Sequence, residues 1–377
     1  MAARWRDDQI AASLNRMGLR TGLKGVQNER DLTTPRIARS LALLLPVSDS
    51  CRNTWRVGAW PDYLLLRPKR EPGPIRRPQG QRLGRTSSHA GSSRPLRSSP
   101  SLGRSSPVRL PESLKRRLTT AMERSLPPAI TRQVKKLHYY RVVRSFDVET
   151  EPDLKAVARL VMPGERVIDV GANIGVYTAF LSRMVGDDGM VCSVEPTPAT
   201  FDILRSNTRR LRLSNVTTVR CAVSDHEGIV TLEIPRFPWG AENLYQARLI
   251  RDGGHDGAEQ IRVKARTLDS IADHLGGVVS FIKCDVEGHE LQCINGANGL
   301  LRRMRPAWLI EVSGDPDRVG SSGNILFSKL GELDYGAFSF DGDRMVAWQP
   351  GGRRSVNYFF LTRDHIGRLR NGGLAFT

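Results

Sequence analysis

The chain has 377 residues and carries 57 Lys+Arg against 39 Asp+Glu, a formal net charge of +18. Residues 1–136 hold 28 of those cations and 9 of the anions, whereas residues 137–377 hold 29 and 30. The basicity therefore belongs to the N-terminal third, which excludes a protein that coats nucleic acid uniformly. Five cysteines (Cys51, Cys192, Cys221, Cys284, Cys293) contain no Cys-x-x-Cys pair. That argues against a zinc knuckle or disulfide framework and for a reducing, cytoplasmic setting. No run approaches the roughly 20 apolar residues of a membrane span, and the first residues lack the apolar core of a secretion signal.

In chain order, residues 7–20 (DDQIAASLNRMGLR) read as a helix. Ile10, Leu14, Met17 and Leu19 share a face, Asp7 or Asp8 caps the start, and Gly18 is a stop. Ile10–Gly22 resembles the helix–turn–helix text of large serine recombinases. No recombinase catalytic domain accompanies it, so residues 1–66 are expected to hold only a short helical, fused or vestigial segment. Residues 67–110 read as a disordered basic linker. Of the 43 residues in 67–109, 31 are Arg, Ser, Pro or Gly, too few apolar groups to offset chain entropy.

From 111 onward one α/β domain is expected. Residues 111–160 read as mostly helical, with helices at 111–126 and at Asp153–Leu160. Five apolar runs then read as strands: RVIDV, MVCSVE, VTTVRCAV, VSFIKCDV and AWLIEV. Helical runs between the early ones point to a doubly wound, mostly parallel sheet. GAFSFDGDRMVAW and VNYFFLT, with Asp341-Gly342 between β-like runs, read as an antiparallel edge.

Three motifs carry chemistry. In VIDVGANIGVYT, Asp169 ends a strand and Gly171, Asn173 and Gly175 form a turn into a helix. The spacing is neither the dinucleotide G-x-G-x-x-G nor a P-loop. Glu195 ends the next strand, 26 positions after Asp169, where an acid in nucleotide-binding α/β folds accepts two hydrogen bonds from a ribose diol. In SFIKCDVEGHELQCINGA, a buried strand is followed by Asp285, Glu287, His289 and Glu290 within six residues. So many ionisable groups are costly to pack for structure alone.

D-V-G-A-N-x-G, then E-P, then I-K-x-D-V-E-G-H-E with a following G-A, together resemble the FkbM family of S-adenosyl-L-methionine-dependent methyltransferases over residues ~138–363. The resemblance implies a class I methyltransferase (Rossmann-like) fold: a seven-stranded sheet whose last strand, NYFF (Asn357–Phe360), is antiparallel. It implies that Asp169, Gly171, Asn173 and Gly175 line the methionine side of the cofactor. Glu195 would hold the ribose, and Ser224 and Asp225 would lie near the adenine. Residues 1–110 have no counterpart in the family.

The chemistry expected is O-methylation of a sugar, glycolipid or secondary metabolite, a small-molecule or glycan hydroxyl. A general base assists, because an alcohol loses its proton as the bond forms. Asp285 is the leading candidate and His289 competes, its ordinary pKa of ~6.5 suiting base work. Glu287 and Lys283 position the acceptor or orient the base, and Glu311 faces the same crevice or caps the sheet. Asp285, Glu287 and His289 form an alternative metal set, although no metal is expected. Trp239, Tyr245 and Arg248, within Pro235–Gly257, are candidates for a lid over the acceptor. Two rival readings use the basic N-terminus: a nucleic-acid methyltransferase, and a DNA-binding protein with a degenerate methyltransferase domain. The neutral catalytic part and the intact cofactor motifs argue against both.

Overall fold

The computed structural model describes residues 127–234, 248–250 and 259–377. The readings at 7–20, 67–110 and 111–126 lie outside these residues, as do Trp239 and Tyr245. Arg248 is described only as backbone. Helix α1 (Pro128–Arg144) opens on a proline, whose missing N–H falls among the donors a first turn leaves unbonded. Helix α2 (Asp153–Leu160) matches its sequence assignment and buries Leu154, Ala156, Val157 and Leu160.

Then β1 (Arg166–Val170), α3 (Val176–Val185), β2 (Met190–Val194), α4 (Pro198–Leu211) and β3 (Val216–Val219) alternate. VTTVRCAV is not one strand. After β3 the chain turns at Arg220–Cys221, and β4 (Ala222–Val223) pairs with a different sheet. That second sheet also contains β5 (Gly228–Ile234), β6 (Arg248–Ile250) and β7 (Glu259–Arg266), in the order β4-β7-β5-β6. It was absent from the expectation. Its small core of Ala222, Leu232 and Val263 is fed by strands whose polar residues alternate with apolar ones.

The chain re-enters the main sheet through α5 (Leu268–Leu275) and β8 (Val279–Cys284). Helices α6 (Glu290–Asn295) and α7 (Asn298–Arg303), β9 (Ala307–Glu311) and α8 (Ser322–Gly331) follow. The chain closes with β10 (Gly336–Phe340), β11 (Arg344–Ala347), β12 (Asn357–Leu361), α9 (Arg363–Asn371) and β13 (Ala375–Phe376). The main sheet runs β13-β11-β10-β12-β9-β8-β1-β2-β3. Seven of these strands, β3-β2-β1-β8-β9-β12-β10, form the class I arrangement, with β12 antiparallel to both neighbours. β11 and β13 extend it to nine, where seven were expected. The hairpin of β10 and β11 turns at Asp341-Gly342 as expected. β12 is not an edge: it sits between β9 and β10, because Tyr358, Phe359 and Phe360 bury apolar side chains on both faces.

Alternation along the strands divides the core. Ile168, Cys192, Ile282, Trp308 and Phe360 face helices α5 to α8. Val167, Phe281, Leu309 and Phe359 face α2, α3 and α9. Asp169 and Lys283 are register partners in β1 and β8 and lie on this second face, just short of the strand ends. No helix among the described residues is long and apolar enough to cross a membrane.

Candidate functional site

The parallel strands β1, β2, β8 and β9 finish at one edge of the sheet, where open α/β folds hold their ligands. The turn after β1 is shaped by three left-handed residues, Gly171 (φ +72°), Asn173 (φ +49°) and Gly175 (φ +95°). At Gly171 a Cβ would lie 1.7 Å from the Asp285 carbonyl oxygen, so only glycine lets the ends of β1 and β8 meet. At Gly175 a Cβ would lie 2.8 Å from Leu204 Cδ1; the close neighbour is α4 rather than a strand.

Asp169 is fully buried. Its Oδ2 accepts a hydrogen bond from Thr178 Oγ1 (2.6 Å), which also bonds Ser193 Oγ (2.9 Å). Its Oδ1 has no hydrogen-bond partner among the described residues. Desolvation raises the Asp169 pKa, opposed by the Lys283 ammonium.

Glu195 is 6 % exposed. Its Oε2 accepts the Asn173 N–H (3.1 Å) and its Oε1 the Thr197 N–H (2.9 Å). The Thr197 side chain also hydrogen-bonds this carboxylate, so of its about four acceptor positions about one is left for a ribose hydroxyl. Burial pushes this carboxyl up to about 7 against the pull of those N–H groups. Glu195, the orphaned Asp169 oxygen and the Asn173 turn thus fit the nucleoside and polar tail of S-adenosylmethionine.

The third motif divides. Lys283 is 7 % exposed and donates to Asp285 Oδ2 (2.9 Å) and weakly to the Gly171 carbonyl (3.4 Å). Its Nζ stands 5.0 Å from the Tyr177 ring centroid. Burial opposes its charge, but Asp285 and Asp169 outweigh that and raise its pKa. Glu287, at φ +50°, is exposed, and desolvation, with Asp285 next, raises its pKa. Glu311, at the end of β9, has its pKa pushed up to about 7 by burial and then by the charges of Asp285 and Glu287. Glu290 is buried, accepting the Gly288 N–H (2.7 Å) and Ser313 Oγ–H (3.2 Å), which makes it a structural tie.

His289 turns away from this group. Its Nε2 is 3.0 Å from Ser224 Oγ, which also lies 3.2 Å from Asp225 Oδ1; Asp225 in turn binds His226 Nδ1 (2.7 Å). Ser224 is 1 % exposed and is packed beneath α6, where a Cβ on Gly296 would meet the Ser224 carbonyl at 2.1 Å. The hydrogen bond from His226 leads in lowering the Asp225 pKa. The alternative metal set is therefore corrected: among the described residues, no three His, Cys, Asp or Glu side chains could hold an ion.

Four residues of the crevice went unassigned in the sequence. Tyr177 is on α3, and Glu151 is joined to it by a side-chain hydrogen bond. Asp153 Oδ2 accepts from Asn357 Nδ2 (2.7 Å), and Asn357 pairs with Glu311 across β12 and β9. Desolvation leads in raising both Glu151 and Asp153. No local signal marks them: Asn357 reaches Asp153 across 204 residues, and Glu151 and Tyr177 belong to segments on either side of β1.

Residues 169–338 match the methyltransferase FkbM domain. The chain is similar to the 31-O-demethyl-FK506 methyltransferase FkbM of Streptomyces tacrolimicus, at 30% identity over 157 residues, covering 36% of this chain and 60% of that one. A second match is to the protein-L-isoaspartate O-methyltransferase of Thermotoga maritima, at 40% identity over 53 residues, 14% and 17% of the two chains. The matches thus span less than two thirds of these curated relatives. Among solved structures, the methyltransferase FkbM of Methylobacillus flagellatus aligns with 66% of this chain and 60% of its own, at 16% identity and a TM-score of 0.34.

Proposed function

We propose that this chain transfers a methyl group from S-adenosylmethionine to a hydroxyl of a non-anionic small molecule or glycan. The observation that carries the cofactor assignment is Glu195, a buried carboxylate just past the end of β2 whose oxygens are held by the Asn173 and Thr197 N–H groups beside the glycine turn. The cofactor supplies an already activated methyl on a sulfonium. The protein's work is therefore to hold the cofactor, align the acceptor and take its proton.

Charge supports the acceptor class. Glu151, Asp285, Glu287 and Glu311 lie within electrostatic reach of one ammonium, Lys283, which Asp285 already holds. A phosphorylated or sulfated acceptor would be repelled. The relative from Streptomyces is named for methylation at an oxygen. The oxygen acceptor is carried over here, not that substrate.

Glu311 is the base this geometry favours. Asp285 is engaged by Lys283 and His289 by Ser224. Glu311 lies one position beyond the Cys284–Ile310 register pair, beside Asp285, and titrates near neutrality. The test is transfer from labelled cofactor to neutral sugars, sugar phosphates and polyketide alcohols. Methylation of neutral hydroxyls that Glu311→Gln slows about 100-fold or more, with cofactor binding intact, is expected. Methylation of sugar phosphates alone, or an unaffected Glu311→Gln, would overturn the respective assignment.

A further inference from the structure

The charge of the domain is unevenly spread. Residues 127–377 carry 32 Lys+Arg and 30 Asp+Glu, close to balance. Ten of those cations, against one acid (Asp202), lie on α1 and on residues 198–220, which comprise α4 and β3. The two helices pack together, with Lys136 4.0 Å from Asp202 and the Arg210 guanidinium 5.9 Å from the Tyr140 ring centroid. One face is therefore strongly basic, while the crevice at the strand ends is acidic.

A groove of about 370 Å³ opens on this face, lined by Arg205, Arg209 and Arg212 together with Thr208, Ser214 and Thr218. Arg205, Arg209 and Arg212 stand at i, i+4 and i+7 and so share one side of α4 and its cap. All three are exposed, and among the described residues the one acid paired with them is Asp202, 3.2 Å from Arg205. The opposite wall is β3, the edge strand of the main sheet. Because α4 returns antiparallel to the strands it connects, its C-terminal turn lies at the end of the sheet away from Glu195 and Asp285. The groove is therefore separate from the proposed cofactor crevice.

Arg212 is the unusual feature. It caps α4 at φ +57°, a left-handed position that favours glycine. An arginine held there places a third guanidinium at the groove. Planar guanidinium forks flanked by hydroxyls match the oxygens of a phosphate group. No aromatic ring lines the groove, so nothing there stacks a base.

We propose that this groove is a second ligand site, which binds the phosphate or diphosphate group of a larger ligand. The probe is pyrophosphate, titrated calorimetrically into the full chain, with uridine diphosphate and a short-chain phosphatidylglycerol as parallel arms. Saturable one-site binding is expected, weakened about tenfold or more by Arg205→Gln, Arg209→Gln or Arg212→Gly. Arg212→Gly should at the same time leave the thermal midpoint unchanged or higher, since it removes a strained backbone. Arg132→Gln on α1, outside the groove lining, should leave binding unchanged. Tighter binding of the nucleotide or of the lipid than of pyrophosphate identifies the source of the phosphate. Absence of binding, or equal binding by the triple variant Arg205→Gln, Arg209→Gln, Arg212→Gly, overturns the proposal.

Discussion

Lys283 Nζ, near the end of β8, lies 2.9 Å from Oδ2 of Asp285, the first residue past that strand. The register partner of Lys283 is Asp169, buried in β1. One ammonium thus balances two carboxylates at the strand ends. Lys283→Met leaves both without a counter-charge and should cost about 3 kcal/mol of stability. Urea denaturation measures it, and a loss below about 1 kcal/mol would show that the pair matters little.

The glycine turn gives a graded test. Gly171→Ala drives a Cβ into the Asp285 carbonyl, and Gly175→Ala drives one against the softer end of Leu204. Gly164, also left-handed at φ +85°, has open space around it. Expected losses are about 3 kcal/mol at 171, less at 175 and about 1 kcal/mol at 164. Denaturation midpoints of the three variants check the order.

Glu195 predicts a pH dependence. Its folded pKa, about 7, lies above the ordinary 4.5. Between those values the folded state keeps a proton that the unfolded chain has released. The group's contribution to stability therefore falls as pH rises from 4.5 to 7 and stays low above that. The advantage of wild type over Glu195→Gln should shrink by about 3 kcal/mol across this window. Ribose hydroxyls donate to the ionised form, so cofactor affinity should rise through the same window and flatten in Glu195→Gln.

His289 and Ser224 share one hydrogen bond. Ser224→Ala and His289→Ala should each cost about 1 kcal/mol. The double variant should cost less than their sum, with a coupling of about 0.5–1 kcal/mol. Strict additivity would show that the 3.0 Å contact carries no energy.

The main sheet was legible in the sequence because β1, β2, β8 and β9 are buried on both faces and read as continuous apolar runs. The second sheet was not. β7 (EQIRVKAR) alternates apolar Ile261, Val263 and Ala265 with charged neighbours, a pattern that a search for continuous runs passes over. Asp169, Glu195 and Asp285 could be placed because each sits at or just past the C-terminal end of an apolar strand. His289 was grouped with Asp285 by sequence proximity. The turn at Glu287 and Gly288, both left-handed, instead carries the chain into α6, which packs on Val223 and Ser224. Tyr177, Glu151 and Asn357 join the crevice only through tertiary packing.

The claim that the crevice is a cofactor site is tested most directly by calorimetric binding of S-adenosylhomocysteine. One site is expected on the wild-type chain, weakened at least tenfold by Glu195→Ala, which removes a charge-assisted acceptor for the ribose. No change is expected in Glu311→Gln. Absence of binding to wild type, or equal binding to Glu195→Ala, would contradict the claim.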